Sequence, residues 1–249
     1  MYCSILCLFN VAKFFTNKNF QFSKNFLFNE ISNQHLELFG KLNLTQIYMN
    51  PDFEMKTSNI KNAVLQNYYF KNNDFRKVRV TYFKSDDAQL FSSVWYPSYD
   101  YDAPILTIDL VNYKKNISLY FINLVEIYNT SEYLNTYINP LIEIKKQHPE
   151  LSKNNSHYLK KINAILSNSM LYGNIYNYKF NRIIPEVLDK YFSVYTKKFI
   201  KKPINRYYIE ERHSFYNKIR ANVDSKFIIK DYYDHSWFKR LINEYYLFN

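Results

Sequence analysis

Glycine is nearly missing from this chain: Gly40 and Gly173 are the only two in 249 residues. Neither the G-x-G-x-x-G turn nor the P-loop can therefore be written anywhere in it. A redox activity here would not draw on a nicotinamide or flavin dinucleotide held in a Rossmann loop. Cysteine is equally scarce. Cys3 and Cys7 have no Cys or His partner at zinc-ligand or iron–sulfur-ligand spacing, which argues against a structural metal or a bound cluster. Two such residues are also too few for a disulfide framework, so a reducing compartment is expected. The five histidines (His35, His148, His157, His213 and His235) show no H-E-x-x-H or comparable spacing, and none reads as a metal ligand. No stretch approaches the roughly 20 apolar residues that a membrane span needs. The apolar run from Ile5 to Ala12 lacks a basic region before it and an A-x-A-like site after it. It reads as part of the folded body or as an ordered extension within residues 1–25. With no internal repeat and no Pro/Gly/Ser linker, one domain over 1–249 is expected.

Aromatic residues and positive charge are plentiful. Aromatics make up 20% of the chain, and most must be core, although they would also suit stacking on a conjugated ligand or on bases. The net charge of +11 implies an acidic partner: nucleic acid, anionic lipid, an acidic protein or an anionic small molecule. Charge alone does not choose, and part of it fits the Lys, Asn, Tyr, Phe and Ile drift of an AT-rich genome. The basic clusters at Lys77/Arg79, Lys114/Lys115, Lys145/Lys146, Lys160/Lys161 and Lys197/Lys198/Lys201/Lys202 are scattered, and most read as solvated faces.

Phe26 to Phe39 reads as a helix; the rest of the first 75 residues is ambiguous. From Arg76 the signal sharpens. Val78, Val80 and Tyr82 alternate with Lys77, Arg79 and Thr81, the period of a half-buried strand. Further strands are expected over about 88–96, 104–112 and 117–124. The proline-bracketed connection Pro97 to Pro104 suggests an antiparallel meander. Helical periodicity follows. Leu188, Tyr191, Phe192, Tyr195 and Phe199 share a face, with Pro185 suited to that helix's first turn. Helices are also expected over about 205–221 and 235–246, the last striped by Trp237, Phe238, Leu241, Ile242 and Tyr245. The fold class predicted is α+β: a sandwich around a central antiparallel sheet.

The third strand, Ala103 to Val111, is an apolar run broken by one acid. Alternation places Ile105, Thr107, Asp109 and Val111 on one face. A carboxyl buried among apolar neighbours can keep a proton near neutrality and act as a general acid. The competing possibility is a structural ion pair with a nearby Lys or Arg. On the neighbouring strand Ser92, Val94 and Tyr96 share a face, so Ser92 is expected to lie beside Asp109.

Asp74 to Tyr82, Ala88 to Asp102 (ending in Tyr96-Pro97-Ser98-Tyr99-Asp100-Tyr101-Asp102) and Pro104 to Leu110 together resemble the ferredoxin-dependent bilin reductases. The match is dense over these roughly 40 residues. Fainter echoes occur at Tyr137 to Pro140, His148 to Leu151, Tyr232 to Trp237 and Glu244 to Phe248. The resemblance implies a three-layer α/β/α sandwich with the bilin between the sheet and the C-terminal helices. It also implies that no metal or organic redox cofactor is bound intrinsically and that single electrons arrive from reduced ferredoxin, an acidic iron–sulfur protein. Asp109 falls on the family's central-strand aspartate, which protonates the bilin between electron transfers through a bilin radical. Asp224 is the nearest match to a second catalytic aspartate, but the Pro that normally follows is absent and its spacing to Trp237 is one residue short. Ser92 stands where relatives carry Asn or His, and Thr107 where they usually have Gly. Ser92, Val94 and Thr107 are the implied substrate contacts, with Arg79 or Lys77 for the propionates. The segment Tyr96 to Asp102 points to the branch of the family that reduces 15,16-dihydrobiliverdin to phycoerythrobilin. The alternatives are reduction of biliverdin, to 15,16-dihydrobiliverdin or phytochromobilin, or a carrier that has lost turnover. The implied partners are ferredoxin, the linear tetrapyrrole and an upstream bilin reductase, with no nucleic acid and no membrane. The expected form is a monomer in a plastid stroma, or in the cytoplasm of a cyanobacterium.

Overall fold

The computed structural model describes residues 28–58, 60–114, 117–151, 166–174, 180–197, 205–224 and 229–246. Ile5 to Ala12, the two cysteines and Phe199 lie outside them. Eight strands form one sheet: β1 Thr45–Ile47, β2 Met55–Ser58, β3 Ala63–Lys71, β4 Phe75–Lys84, β5 Ala88–Pro97, β6 Ile105–Tyr113, β7 Ile117–Val125 and β8 Leu171–Asn174. From β3 to β8 the strands lie side by side in chain order, and β1 and β2 share the outer edge of β3. Every pairing is antiparallel, so the expected meander is present and is longer by three strands before Phe75 and one after Val125.

Alternation sorts the side chains onto two unlike faces. Val78, Val80 and Tyr82 align with Trp95, Ser93 and Phe91, and these in turn with Leu106, Ile108 and Leu110. This apolar first face is covered by α1 Asn29–Lys41 and by α5 Phe180–Lys197, and its centre is aromatic. Phe39, Phe75 and Phe192 pack on Trp95 at ring centroid separations of 5.0–5.4 Å. Gln34 of α1 donates to the Pro185 carbonyl at 2.7 Å. Pro185 sits inside α5, not in its first turn as expected. Ile184 is fully buried with Val187 and Leu188, so packing favours helix upstream of the proline despite the lost hydrogen bond.

The second face is polar. Asn67, Thr81, Ser92 and Asp109 form one row across four strands, and Tyr69, Arg79, Val94 and Thr107 form the next. Two helical pieces cover it: α6 Arg206–Asp224, and the end of the chain, where α7 His235–Arg240 continues as a π-helical turn, Leu241–Tyr246. A plain α-helix over 235–246 was expected. The wider turn lets the adjacent Tyr245 and Tyr246 both reach the sheet: Tyr245 stacks on Tyr69 (4.8 Å, 14°), and Tyr246 lies 4.2 Å from the Arg79 guanidinium. Between β7 and β8 run α3 Ser131–Tyr133, a π-turn Leu134–Ile138 and α4 Asn139–Gln147. Two helical layers enclosing an antiparallel sheet give the α/β/α sandwich that the resemblance implies.

Candidate active site

Asp109 lies mid-strand on β6 with only 6% of its surface exposed. Its own strand is apolar, as the pattern predicts, but α6 brings a cation over it. Arg220 donates from Nη1 to Oδ2 at 2.6 Å and from Nη2 to Oδ1 at 2.9 Å, while the Ser92 hydroxyl donates to Oδ1 at 2.6 Å. Arg220 is 1% exposed. Three donors converge on the two oxygens, a setting suited to an acceptor-only carboxylate. The apolar pocket expected around a proton-holding acid is thus replaced, in this arrangement, by a forked ion pair.

The same helix makes two more polar clasps on this face. Tyr216 and Thr107 share a hydroxyl–hydroxyl bond of 2.7 Å, and the Tyr96 hydroxyl donates to Asn217 Oδ1 at 2.6 Å. Thr107 and Val94 are fully buried in the row next to Asp109. Position 224 ends α6 four residues after Arg220; the Asp224 side chain lies outside the described residues.

Farther along β4 a bulge between Phe75 and Lys77 turns Phe75 to the first face and gathers Arg76, Lys77 and Arg79 on the second. Lys77 and Arg79 are 4% and 1% exposed, not on the solvated face expected of most basic clusters. The Arg76 guanidinium lies 4.9 Å from the Tyr96 ring and 4.5 Å from that of Tyr99, and it donates to His213 Nδ1 at 3.1 Å. Since arginine can only donate, His213 Nδ1 is the acceptor nitrogen. Burial, then Arg76 and Lys77, hold His213 well below its ordinary range. The segment Tyr96 to Asp102 proves partly architectural: the Tyr101 hydroxyl donates to Asp74 at 2.7 Å, and Asp102 accepts from the Tyr137 hydroxyl at 2.8 Å.

A cavity of about 480 Å³ opens at this end of the face, lined by Met49, Phe53, Tyr69, Arg76, Lys77 and Tyr245 among others. Asp109 does not line it. Four residues along β4 and two strands across separate Lys77 from Asp109, about 16 Å by strand geometry. Among the described residues no group of His, Cys, Asp and Glu is placed to hold a metal, and no helix is long and apolar enough to cross a membrane.

The residue that sequence reasoning missed is Arg220, 111 positions from its partner. A signal was present. Ile209, His213, Tyr216 and Arg220 follow the 4-3-4 spacing of a buried helix stripe, and an arginine on such a stripe needs a buried acid opposite.

An antiparallel sheet with one apolar face, one polar face and a buried acid at the centre of the polar one defines the class: a sandwich that covers a carboxylate with its C-terminal helices. The family model described as ferredoxin-dependent bilin reductase matches residues 30–249, and the chain belongs to that family. It is similar to the 15,16-dihydrobiliverdin:ferredoxin oxidoreductase of Nostoc punctiforme, with 25% identity over 84% of this chain and 89% of that protein. It is 24% identical to the protein of the same name from Prochlorococcus marinus NATL1A, over 89% of this chain and 94% of the other. Among solved structures it resembles tomato phytochromobilin synthase in complex with biliverdin. The TM-score is 0.73 at 14% identity, covering 88% of this chain and 82% of the other.

Proposed function

We propose that this ferredoxin-dependent bilin reductase acts on the couple biliverdin/15,16-dihydrobiliverdin, adding two electrons from two reduced ferredoxins and two protons to biliverdin. In a name of the form donor:acceptor oxidoreductase the first member is the reduced partner. The shared name of the curated relatives thus makes 15,16-dihydrobiliverdin the product when the reaction runs toward reduction. The next step, 15,16-dihydrobiliverdin to phycoerythrobilin, is the second reading, favoured by the segment Tyr96 to Asp102. The observation that supports bilin chemistry most directly is Asp109, a buried carboxylate at the centre of the polar face of the sheet, under the C-terminal helices.

The bilin would lie between this face and α6, along Ser92, Val94 and Thr107, with its propionates toward Arg79 and Lys77. Asp109 would supply a proton after the first electron arrives, so that charge does not accumulate in a low-dielectric pocket. Asp224, at the end of α6, would be the second donor.

Purified protein incubated with reduced ferredoxin and either biliverdin or 15,16-dihydrobiliverdin, followed by absorbance, separates the two readings: the first requires turnover of biliverdin. Asp109→Asn should bind the bilin with kcat lowered by roughly 10²–10⁴, the range for loss of a general acid. Turnover of neither bilin, or wild-type kcat in Asp109→Asn, would overturn the assignment.

A further inference from the structure

A general acid must come within about 2.6–3.2 Å of the atom it protonates, yet both oxygens of Asp109 are occupied at 2.6–2.9 Å. The Arg220 guanidinium fills the space directly above the carboxylate, between β6 and α6. At those distances there is no gap for a pyrrole ring, and a carboxylate that only accepts hydrogen bonds has no hydrogen to give.

We propose that Arg220 is a positioning residue that holds Asp109 as a carboxylate while α6 is seated on the sheet, and that a bilin entering between them displaces the guanidinium and thereby makes Asp109 take up the proton it later donates. This rests on the bilin reading above. A buried carboxylate stripped of two charge-assisted donors is strongly disfavoured, and the simplest relief is to bind a proton from solvent. The ion pair then acts as an interlock: the acid is armed only when the substrate is in place. The other titratable and charged groups on this side of the sheet are Tyr216 of α6, Tyr69 of β3, Tyr96 of β5, Arg76, Lys77 and Arg79 of β4, His213 of α6 and Tyr245 and Tyr246 at the chain end. Lys77, lowered to about 6 by burial and by Arg79 and Arg76, and His213, held well below its ordinary range by burial and by Arg76 and Lys77, could also gain a proton when a dianionic ligand arrives, so the measurement must subtract them.

The readout is proton uptake on binding biliverdin, obtained by calorimetric titration near neutral pH in two buffers of different ionisation enthalpy. Wild type should take up on the order of one proton more per bilin than Asp109→Asn, whose residual uptake reports Lys77 and its neighbours. Arg220→Gln should show no such excess, because its Asp109 already holds the proton. It should also bind biliverdin several-fold more tightly, since no ion pair has to be broken. Arg220→Lys, which keeps the charge but loses the fork, should fall between the two and serves as the test if Arg220→Gln does not fold. Equal uptake by wild type and Asp109→Asn overturns the proposal, as does wild-type uptake in Arg220→Gln, or in Arg220→Lys where that variant stands in. If wild type binds and reduces bilin but shows no excess, the interlock fails and the enzymatic reading stands. If it neither binds nor reduces bilin, both fail.

Discussion

Burial against the rings of Tyr69 and Tyr96, with Arg79 and Arg76 as neighbours, brings the Lys77 ammonium down from 10.5 to about 6. In the unfolded chain the same group keeps its ordinary value, so between about pH 6 and 10 the unfolded state binds more protons than the folded one, and stability rises with pH across that window. Below about 6 the ammonium is charged in both states and this dependence disappears. Lys77→Met removes the cost of burying the amine. It should stabilise the protein at pH 7 by about 1–3 kcal/mol, the usual scale for burying a polar group, and flatten the pH dependence. Urea denaturation at pH 6, 7.5 and 9 checks both; a loss of stability at pH 7 would show that the ammonium is instead held by compensating contacts. The sequence could not announce any of this. Strand alternation puts Lys77, Arg79 and Thr81 on one face, but whether that face meets water or a helix depends on Tyr216, Asn217 and Arg220, more than 100 residues away. Ser92 beside Asp109 was legible because adjacent antiparallel strands fix that neighbour. Arg220 was not, because helix docking leaves no local trace beyond a stripe that contains an arginine.

The strands that could be read were β4 to β7; β4 alternates most cleanly because the second face is itself polar, while β6 is an apolar run broken by Thr107 and Asp109. The missed β3 carries Tyr68 and Phe70 on one side and Tyr69 on the other, all buried, so its aromatics show no period of two. β8 was missed for a different reason: it is four residues long and contains one of the two glycines. That glycine is required by close approach, not by backbone conformation. A Cβ at Gly173 would meet Cζ of Tyr120 at 2.7 Å and Cε1 at 2.9 Å, and Tyr120, directly opposite on β7, is fully buried with no room to retreat. Gly173→Ala should therefore cost about 1–3 kcal/mol through overpacking, while Tyr120→Phe/Gly173→Ala should recover little, because two of the three closest atoms are ring carbons. Thermal melts of the two variants against wild type test this; a neutral Gly173→Ala would mean that β8 shifts on the sheet edge at little cost.

For the whole molecule, the class of fold followed from the order of periodicities, with period-two segments in the middle and period-3.6 segments before and after. The enclosing geometry followed only from which face was left polar. The charge of +11 acts at this scale too, since potentials add over the surface and steer an oppositely charged partner before contact. The inward basic residues Lys77, Arg79 and Arg220 are buried, while Lys146, Arg206 and Arg240 lie exposed but already paired with Glu143, Glu210 and Asp52 or Glu244. For an acidic electron donor the summed surface charge would then act as long-range steering. Such steering is screened with a Debye length of about 10 Å at 0.1 M salt and about 3 Å at 1 M, whereas a bilin bound as proposed, under α6, would be shielded from solvent ions. Raising NaCl from 0.05 to 0.5 M should therefore lower kcat/KM for reduced ferredoxin by on the order of 10-fold or more, with the biliverdin Kd changing only a few-fold. Steady-state turnover with ferredoxin varied and a parallel absorbance titration of biliverdin give the two numbers. Equal salt sensitivity of both would mean that the surface excess does not guide the electron donor and that the basicity of this chain is compositional drift.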